Sequence, residues 1–355
     1  MRPVSAIAIF ISLGFPIVAQ ADFKLIWEEL NPMPEGRSGM IAFPLNQSEL
    51  AFYGGSSWND GEKRIHASGY VLHDHQWIPL VSLPTPTAYA AVTVEDHLLH
   101  FAGGTNGNQL NRVRFTQHSN LRKQSFELAP SQVRIYAGAA HLNGSFYQIG
   151  GSTQLSPLAP SNSISKFEDE TWTELGTLPE GPLINSAVAA WKDRIFMFGG
   201  GRPGENGLEN TRSVFGFSTL SQSWKKQAVL PVAVRGTVAI PIPRIGILLI
   251  GGYANSTTFS AQTLLYDPEA DNLTTLTELP IGLILPGAVL TEKWIYVFGG
   301  EDAPQHRSPR VFRTDRSRFL PERNRGPKVQ SHPIRGKLHS QLSTSRSLVK
   351  GTDPK

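Results

Sequence analysis

The sequence of 355 residues contains no cysteine, so it can form no disulfide and offers no thiol nucleophile. A copper and thioether oxidase site is excluded for the same reason. The sequence also lacks the G-x-x-x-x-G-K-[ST] phosphate loop and the H-E-x-x-H zinc pair. His73 and His75 alternate at a strand end, but without a third ligand they do not indicate a metal site.

Only the N-terminus carries an extended apolar stretch. Arg2 precedes the stretch Val4–Val18, and the small-residue sequence Ala19-Gln20-Ala21 follows it. This order predicts a secretory signal peptide over residues 1–21 and an exported protein, periplasmic or secreted. An uncleaved membrane anchor is the alternative, but the stretch is shorter than the ~20 residues that a span requires and is interrupted by glycine and proline.

The net charge of +4 is distributed unevenly along the chain. Residues 316–355 contain ten basic and two acidic residues, a net of +8, whereas residues 22–315 contain 22 basic and 27 acidic residues, a net of −5. The C-terminal segment lacks apolar periodicity, so we predict a basic, disordered tail over 316–355. It is either a solvated extension or a contact to an anionic envelope surface. Because export would separate the protein from nucleic acid, we expect no nucleic-acid partner.

A glycine pair ends a short apolar run six times along the chain, at spacings of 49, 47, 49, 52 and 48 residues. A period of about 50 residues that carries four strand-sized segments is typical of a β-propeller blade. We therefore predict one all-β domain over residues 22–315, a six-bladed β-propeller. The pairs are Gly54-Gly55, Gly103-Gly104, Gly150-Gly151, Gly199-Gly200, Gly251-Gly252 and Gly299-Gly300.

The strands of each repeat follow a common order. A strand of small residues such as Ala137-Gly138-Ala139-Ala140 suits the crowded position nearest the axis, and a second strand such as Ile195–Phe198 runs into the glycine pair. A third strand and an outer fourth strand follow, and the fourth carries Trp77, Trp172 or Trp224 in three of the repeats. The glycine pairs and the spaced tryptophans resemble the kelch repeat over about 290 residues.

The sixth repeat has no fourth strand, because the basic tail begins after its third. An unmatched fourth-strand pattern, Trp27–Leu30, lies instead at the N-terminus. We predict that this N-terminal strand completes the sixth blade, closes the propeller and leaves no open sheet edge.

The loops that follow the glycine pairs should surround the mouth of the axial channel. In the sixth repeat, Glu301 directly follows the pair and Arg307 lies six residues further on. A carboxylate and a guanidinium can move a proton and hold an anionic sugar, respectively. An ordinary surface ion pair is the alternative interpretation of this spacing.

This loop resembles the corresponding segment of the bacterial kelch mutarotases, the N-acetylneuraminate epimerase family, and the blade order resembles its cyclically permuted branch. The first-repeat loop, Gly55–His66, is similar to the same branch. The resemblance implies that Glu301 transfers protons in the pore and that Arg307 lies with it. It also implies that no cofactor is needed.

Five further residues are candidates for substrate binding. Arg37, Arg134 and Arg235 each follow a blade-crossing proline by three or four residues, so they are expected either to ring the pore or to pair with carboxylates at strand ends. Lys63 and His66 lie in the first-repeat loop, where they either bind substrate or are simply solvated.

Two functional hypotheses follow from the sequence. The first is an exported enzyme that interconverts the anomers of a sialic-acid-like acidic sugar by acid and base catalysis, with Glu301 and Arg307 as its catalytic residues. The alternative is a non-catalytic kelch propeller that binds glycan or protein partners. The oligomeric state is left open.

Overall fold

Each repeat folds into one four-stranded antiparallel sheet, and the computed structural model contains six of them within the residues that it describes. Those residues are 24–95, 97–117, 123–128, 130–254 and 258–319. The predicted signal peptide and the tail from residue 320 onward lie outside the described residues. The sheets are blades of a β-propeller, which confirms the predicted all-β, kelch-type fold.

Each blade is built from four strands, which are ordered below from the innermost to the outermost. Blade one contains Ile41–Pro44, Leu50–Tyr53, Gly69–His73 and Gln76–Leu80. Blade two contains Ala91–Glu95, Leu98–Ala102, Val113–Gln117 and Lys123–Glu127. Blade three contains Gly138–Leu142, Ser145–Ile149, Ser163–Glu168 and Thr171–Thr177. Blade four contains Ala187–Trp191, Arg194–Phe198, Ser213–Ser218 and Ser223–Val229. Blade five contains Val238–Ile242, Gly246–Ile250, Thr263–Asp267 and Asn272–Thr275. Blade six contains Gly287–Leu290, Trp294–Phe298, Val311–Asp315 and Glu28–Glu29.

A closed cycle of backbone hydrogen bonds surrounds the propeller axis. One residue precedes the innermost strand of each blade, and its N–H donates to the carbonyl of the equivalent residue in the preceding blade, at 2.8 to 3.2 Å. All six residues have a φ between 48° and 68°. We call this cycle the axial ring, and its members are Gly39, Tyr89, Tyr136, Asn185, Gly236 and Leu285.

The glycine pairs allow neighbouring blades to approach one another closely. A Cβ on the first glycine of each pair would lie 2.0 to 2.5 Å from a carbonyl oxygen of the next blade, and the N–H of the second glycine donates to that same carbonyl at 2.7 to 2.9 Å. Any side chain would therefore separate the blades. In the last junction, Gly300 donates to Arg37 of blade one and so joins the two ends of the propeller.

The N-terminal strand completes blade six as predicted. Glu28 and Glu29 pair with Arg313 and Phe312 of the third strand. Glu28 also forms an ion pair with Arg313 at 2.8 Å. This strand covers the edge that blade six would otherwise expose.

The apolar core lies between adjacent blades. Phe52 and Leu72 of blade one pack in one buried cluster with Phe298 and Val311 of blade six. Trp77, predicted on an outer strand, has its ring centroid 6.3 Å from that of Phe298. The packing of each blade therefore depends on its neighbours.

Short elements extend from the blades. Four glycine-pair loops form small paired strands, and we call these units the axial hairpins. They comprise Ser56–Asn59 with Glu62–Ile65, Gly201–Gly204 with Gly207–Asn210, Tyr253–Ala254 with Val234–Arg235 and Thr258–Phe259, and Glu301–Ala303 with His306–Arg307. The two 3-10 helices are Pro130–Gln132 and Arg316–Phe319. Phe319 is buried, although residues 316–319 were assigned to the predicted tail.

Candidate functional site at the axial face

Glu301 lies beside the axial ring because its backbone pairs with the ring-flanking residue Ile284. The N–H of each residue donates to the carbonyl of the other at 2.9 Å. Arg307 is the cross-strand partner of Glu301 in the hairpin of blade six. The predicted pair is therefore held on a two-stranded unit at the ring, where neither side chain depends on a long irregular loop.

Glu301 and Arg307 form an ion pair, with 3.2 Å between Oε1 and Nη2. The Arg307 side chain is 5% exposed and that of Glu301 is 23% exposed. Burial raises the pKa of Glu301, although Arg307 and Lys63 act in the opposite direction. The carboxyl group therefore keeps its proton to a higher pH than an ordinary glutamate, as a general acid or base working near neutrality must.

Arg307 keeps part of its binding capacity. Its Nη1 donates to the His306 carbonyl at 3.3 Å and its Nε donates to the Ser56 hydroxyl at 3.4 Å. Its Nη2 forms the ion pair with Glu301. A guanidinium held in this way can bind a carboxylate from a ligand.

Several site residues were missed by the sequence interpretation. Tyr89 and Tyr136 belong to the axial ring, and their ring centroids lie 4.9 Å apart. The Tyr89 and Ser56 hydroxyls lie 2.6 Å apart, and the Arg307 guanidinium lies 5.7 Å from the centroid of Trp58. The signal that could have found the two tyrosines is their common position, immediately before the small-residue strand of their repeats.

Lys63 also lies in this cluster. Its ammonium lies 4.6 Å from the centroid of the Tyr89 ring. The charge of Lys63 lowers the pKa of Glu301. The site therefore combines one largely buried carboxyl group with two cations and the aromatic rings of Tyr89, Tyr136 and Trp58.

His66 is not solvated but belongs to a network beside the cluster. Its Nε2 lies 2.8 Å from the Ser57 hydroxyl and 3.4 Å from Oε2 of Glu35. Burial and the nearby Arg37 cation both lower the pKa of His66. These contacts attach the hairpin of blade one to the loop that precedes the ring.

Arg37 and Arg134 do not reach the axial mouth. Arg37 donates to the carbonyls of Gly54 and Ser68, and Arg134 donates to those of Gly150 and Ser163, in each case within its own blade. Burial lowers the pKa of Arg134 to about 10. Both residues satisfy buried backbone carbonyls, and Arg37 also pairs with the Glu35 carboxylate at 3.2 Å, which is the alternative expected for these arginines.

Arg235 occupies a different position from the other two arginines. It corresponds in blade five to Ile284 in blade six and pairs with Tyr253 beside the ring. Its guanidinium lies 4.5 Å from the Tyr253 ring centroid and donates to the side-chain oxygen of Asn210. Arg235 therefore lies at the axial mouth, between the hairpins of blades four and five.

The four axial hairpins form a continuous wall around part of the mouth. The hairpin of blade six contacts those of blades five and one. Asn210 of blade four donates to the Tyr253 carbonyl of blade five. Blades two and three carry irregular loops there, joined only by single bridges such as Thr105 with Leu110. The mouth is therefore walled by blades four, five, six and one.

The axial channel shares Tyr89 and Tyr136 with this site. It has a volume of about 200 Å³ and is lined by the axial ring and by small residues of the innermost strands. Neither Glu301 nor Arg307 lines it. The acidic side chain was expected to project into the central well, but the pair instead lies on the loop side of the ring.

Two other kinds of site do not occur among the described residues. No helix there combines the length and the apolar character needed to cross a membrane. Within the same residues, histidine and carboxylate side chains nowhere gather in a group of three that could hold a metal ion.

Comparisons with known proteins support the repeat assignment. No protein-family model matches the chain. It is 24% identical to Kelch-like protein 35 of Mus musculus over 70% of this chain and 41% of that protein. It is 28% identical to beta-scruin of Limulus polyphemus over 42% of this chain and 17% of that protein, and 25% identical to Kelch-like protein terF of Aspergillus terreus over 49% of this chain and 40% of that protein.

The chain thus spans less than half the length of these relatives. None of the three is named as a mutarotase or an epimerase. The names of the Kelch-like relatives agree with the kelch-type repeat. The repeats and the sheets that they form show a kelch-type β-propeller fold.

Proposed function

We propose that this propeller is a binding protein that holds a protein or glycan partner against its axial hairpins. The supporting observation is the wall of four hairpins, which presents exposed charges of both signs around one mouth. Arg64 and Glu62 are 61% and 73% exposed, and Arg202 and Glu209 are 47% and 53% exposed. The names of the kelch relatives are consistent with a binding propeller and carry no enzymatic term.

Site-specific cross-linking tests this proposal. A photo-reactive amino acid at Arg64 or Arg202 should form adducts with a bound partner, and a glycan array should give signals that variants of the hairpin tips remove. The matched control is the same amino acid at Asn143, in the tight turn on the opposite face. Equal cross-linking from both faces, together with a blank array, would contradict the proposal.

The Glu301 site supports a second candidate function, the interconversion of sugar anomers. The specific observation is a largely buried carboxyl group of raised pKa, 3.2 Å from a guanidinium at the axial mouth. Glu301 would take the proton of the anomeric hydroxyl and deliver it to the ring oxygen as the ring C–O bond breaks and the carbonyl forms. Rotation of the carbonyl and reversal of these steps return the other anomer.

We propose a sialic-acid-like acidic sugar as the substrate of this reaction. Arg307, with Lys63 and Arg235 nearby, would hold the sugar carboxylate. The oxidation state does not change, so the proposed reaction requires no redox cofactor. Export to the periplasm or the medium, and contact of the basic tail with an anionic surface, are part of the same proposal and depend on residues outside the described structure.

Nuclear magnetic resonance of anomer equilibration tests the enzymatic candidate. The wild-type protein should accelerate equilibration of N-acetylneuraminate over buffer, and E301Q should lower the rate by about 100-fold or more. The matched control is D302N, because Asp302 is adjacent in sequence but contacts His306 instead. No acceleration by wild type would leave the binding function alone, and full activity of E301Q would remove the role of Glu301.

A further inference from the structure

Two buried hydroxyl groups lie behind the Glu301 and Arg307 pair. We infer that Ser56 and Tyr89 are positioning residues, which hold the Arg307 guanidinium against Glu301. The chain of contacts runs from Arg307 Nε to the Ser56 hydroxyl at 3.4 Å and on to the Tyr89 hydroxyl at 2.6 Å. This inference rests on the enzymatic candidate above, but its first measurement requires no catalysis.

Ser56 is anchored by the backbone of blade one. Its N–H donates to the Ser38 carbonyl at 2.8 Å, the Ser38 N–H donates back at 3.0 Å, and the side chain is completely buried. Arg307 belongs to the hairpin of blade six. The bond between them is therefore a side-chain link across the junction of the first and last blades.

Tyr89 is anchored as a member of the axial ring. Its N–H donates to the Gly39 carbonyl at 2.8 Å and its own carbonyl accepts from Tyr136 at 3.1 Å. A Cβ on Gly39 would lie 2.2 Å from the Tyr89 ring, so the glycine makes room for that ring. Tyr136 and Lys63 contact the same ring, at centroid distances of 4.9 and 4.6 Å. The hydroxyl consequently has little freedom to leave Ser56.

The remaining partners of Arg307 cannot replace this anchor. The Glu301 carboxylate and the His306 carbonyl belong to the same hairpin as Arg307. Within the part of the chain that the structure describes, Ser56 is the only residue of another blade that accepts a hydrogen bond from the Arg307 guanidinium. Without Ser56, the Arg307 guanidinium would spend less time close to Glu301. The pKa of Glu301 would rise further, because the effect of burial would be offset less by the positive charge of Arg307.

Blade three shows that this role is not a general property of the repeat position. Ser152 occupies the position of Ser56, directly after the glycine pair, but its hydroxyl accepts from the Ala159 N–H at 2.8 Å and donates to the Gln154 carbonyl at 2.7 Å. These bonds stabilise its own loop. S152A therefore removes the same atom at an equivalent position without touching Arg307.

The experiment is a carbon-detected titration of the Glu301 carboxyl in wild type, S56A, Y89F and S152A, with the signal assigned through E301Q. We expect the pKa to rise in S56A, to rise less in Y89F and to stay unchanged in S152A. S56T should leave the pKa of Glu301 at its wild-type value, since threonine also carries a hydroxyl and Thr105 occupies the equivalent position in blade two. In the anomer assay, S56A should lower kcat by about tenfold with a smaller effect on KM, and should move the Glu301 limb of the pH profile upward.

The outcomes separate this inference from the proposed function. Unchanged titrations in both S56A and Y89F would overturn the positioning role, as would an equal shift in S152A. If wild type shows no anomer activity, the enzymatic candidate fails while the titration still decides the inference. If S56A does not fold, judged by circular dichroism, Y89F and its pH profile supply the test.

Discussion

Leu25 provides the sharpest test of how the propeller closes. Its side chain is 1% exposed and lies in one buried cluster with Ile240 of blade five and with Phe312 and Phe319 at the end of blade six. It lies three residues before the start of the closing strand. The substitution L25A therefore removes apolar contacts from the junction that the N-terminal segment seals, while leaving the strand pairing intact.

The expected cost follows from this burial. Replacing a fully buried leucine by alanine typically costs about 3 to 5 kcal/mol, because apolar contact is lost and a cavity remains. At an m-value of about 3 kcal/mol/M this corresponds to a fall of at least about 1 M in the urea midpoint. The matched control is I26A, because Ile26 is 52% exposed and should cost under about 0.5 kcal/mol.

Urea unfolding followed by tryptophan fluorescence measures both variants. An unchanged slope with a lower midpoint for L25A would show a loss of stability in a cooperative unit. If L25A and I26A unfolded at the same midpoint as wild type, the N-terminal segment would not be part of the cooperative fold, and closure of the propeller by this segment would be refuted.

Three further predictions use the same unfolding measurement. E301Q should be more stable than wild type at pH 7 and equally stable at pH 3. The pKa of Glu301 in the folded protein is raised above its ordinary value of 4.5, so the folded state loses stability as the pH rises from 4.5 through the folded pKa. A lower stability of E301Q at pH 7 would contradict the burial argument. G39A should cost about 1 to 3 kcal/mol more than G61A, since both glycines have positive φ but only Gly39 faces a ring at 2.2 Å; equal costs would count against that contact. R134K should cost about 2 to 4 kcal/mol because buried carbonyls lose their donors, whereas R202K, at an exposed ion pair, should change little.

The blades could be predicted from the sequence because the steric contacts that require the glycine pairs are local and recur in every repeat. At the first glycine of each pair a Cβ would clash with the next blade, so the same glycine pair recurs in every repeat. The second strand of blade four illustrates the accuracy, since Ile195–Phe198 was predicted and Arg194–Phe198 is observed. The N-terminal strand was predictable for a related reason: an unmatched pattern at one end complements a missing one at the other.

The site was only partly predictable. The sequence named Glu301 and Arg307 together because they share one loop, and it named Lys63 from the loop of blade one; the structure brings the three side chains together. Ser56 and Tyr89 were missed because their hydroxyls meet across two blades, at a separation of 33 residues that no local pattern reports. Side chains that meet only through tertiary packing leave no spacing in the sequence.

Arg37 and Arg134 illustrate the same limit, because their side-chain contacts also depend on tertiary packing. Their positions after the blade-crossing prolines predicted either a ring around the pore or pairs with carboxylates. Each guanidinium instead donates to glycine-pair carbonyls of its own blade, and that of Arg37 also pairs with Glu35. Sequence by itself determined the repeat, the strand order and the closing strand, because steric demands at each blade junction recur every period. Only the tertiary structure decided which polar side chains face the mouth, because that depends on which buried carbonyls and hydroxyls still lack partners once the blades have packed.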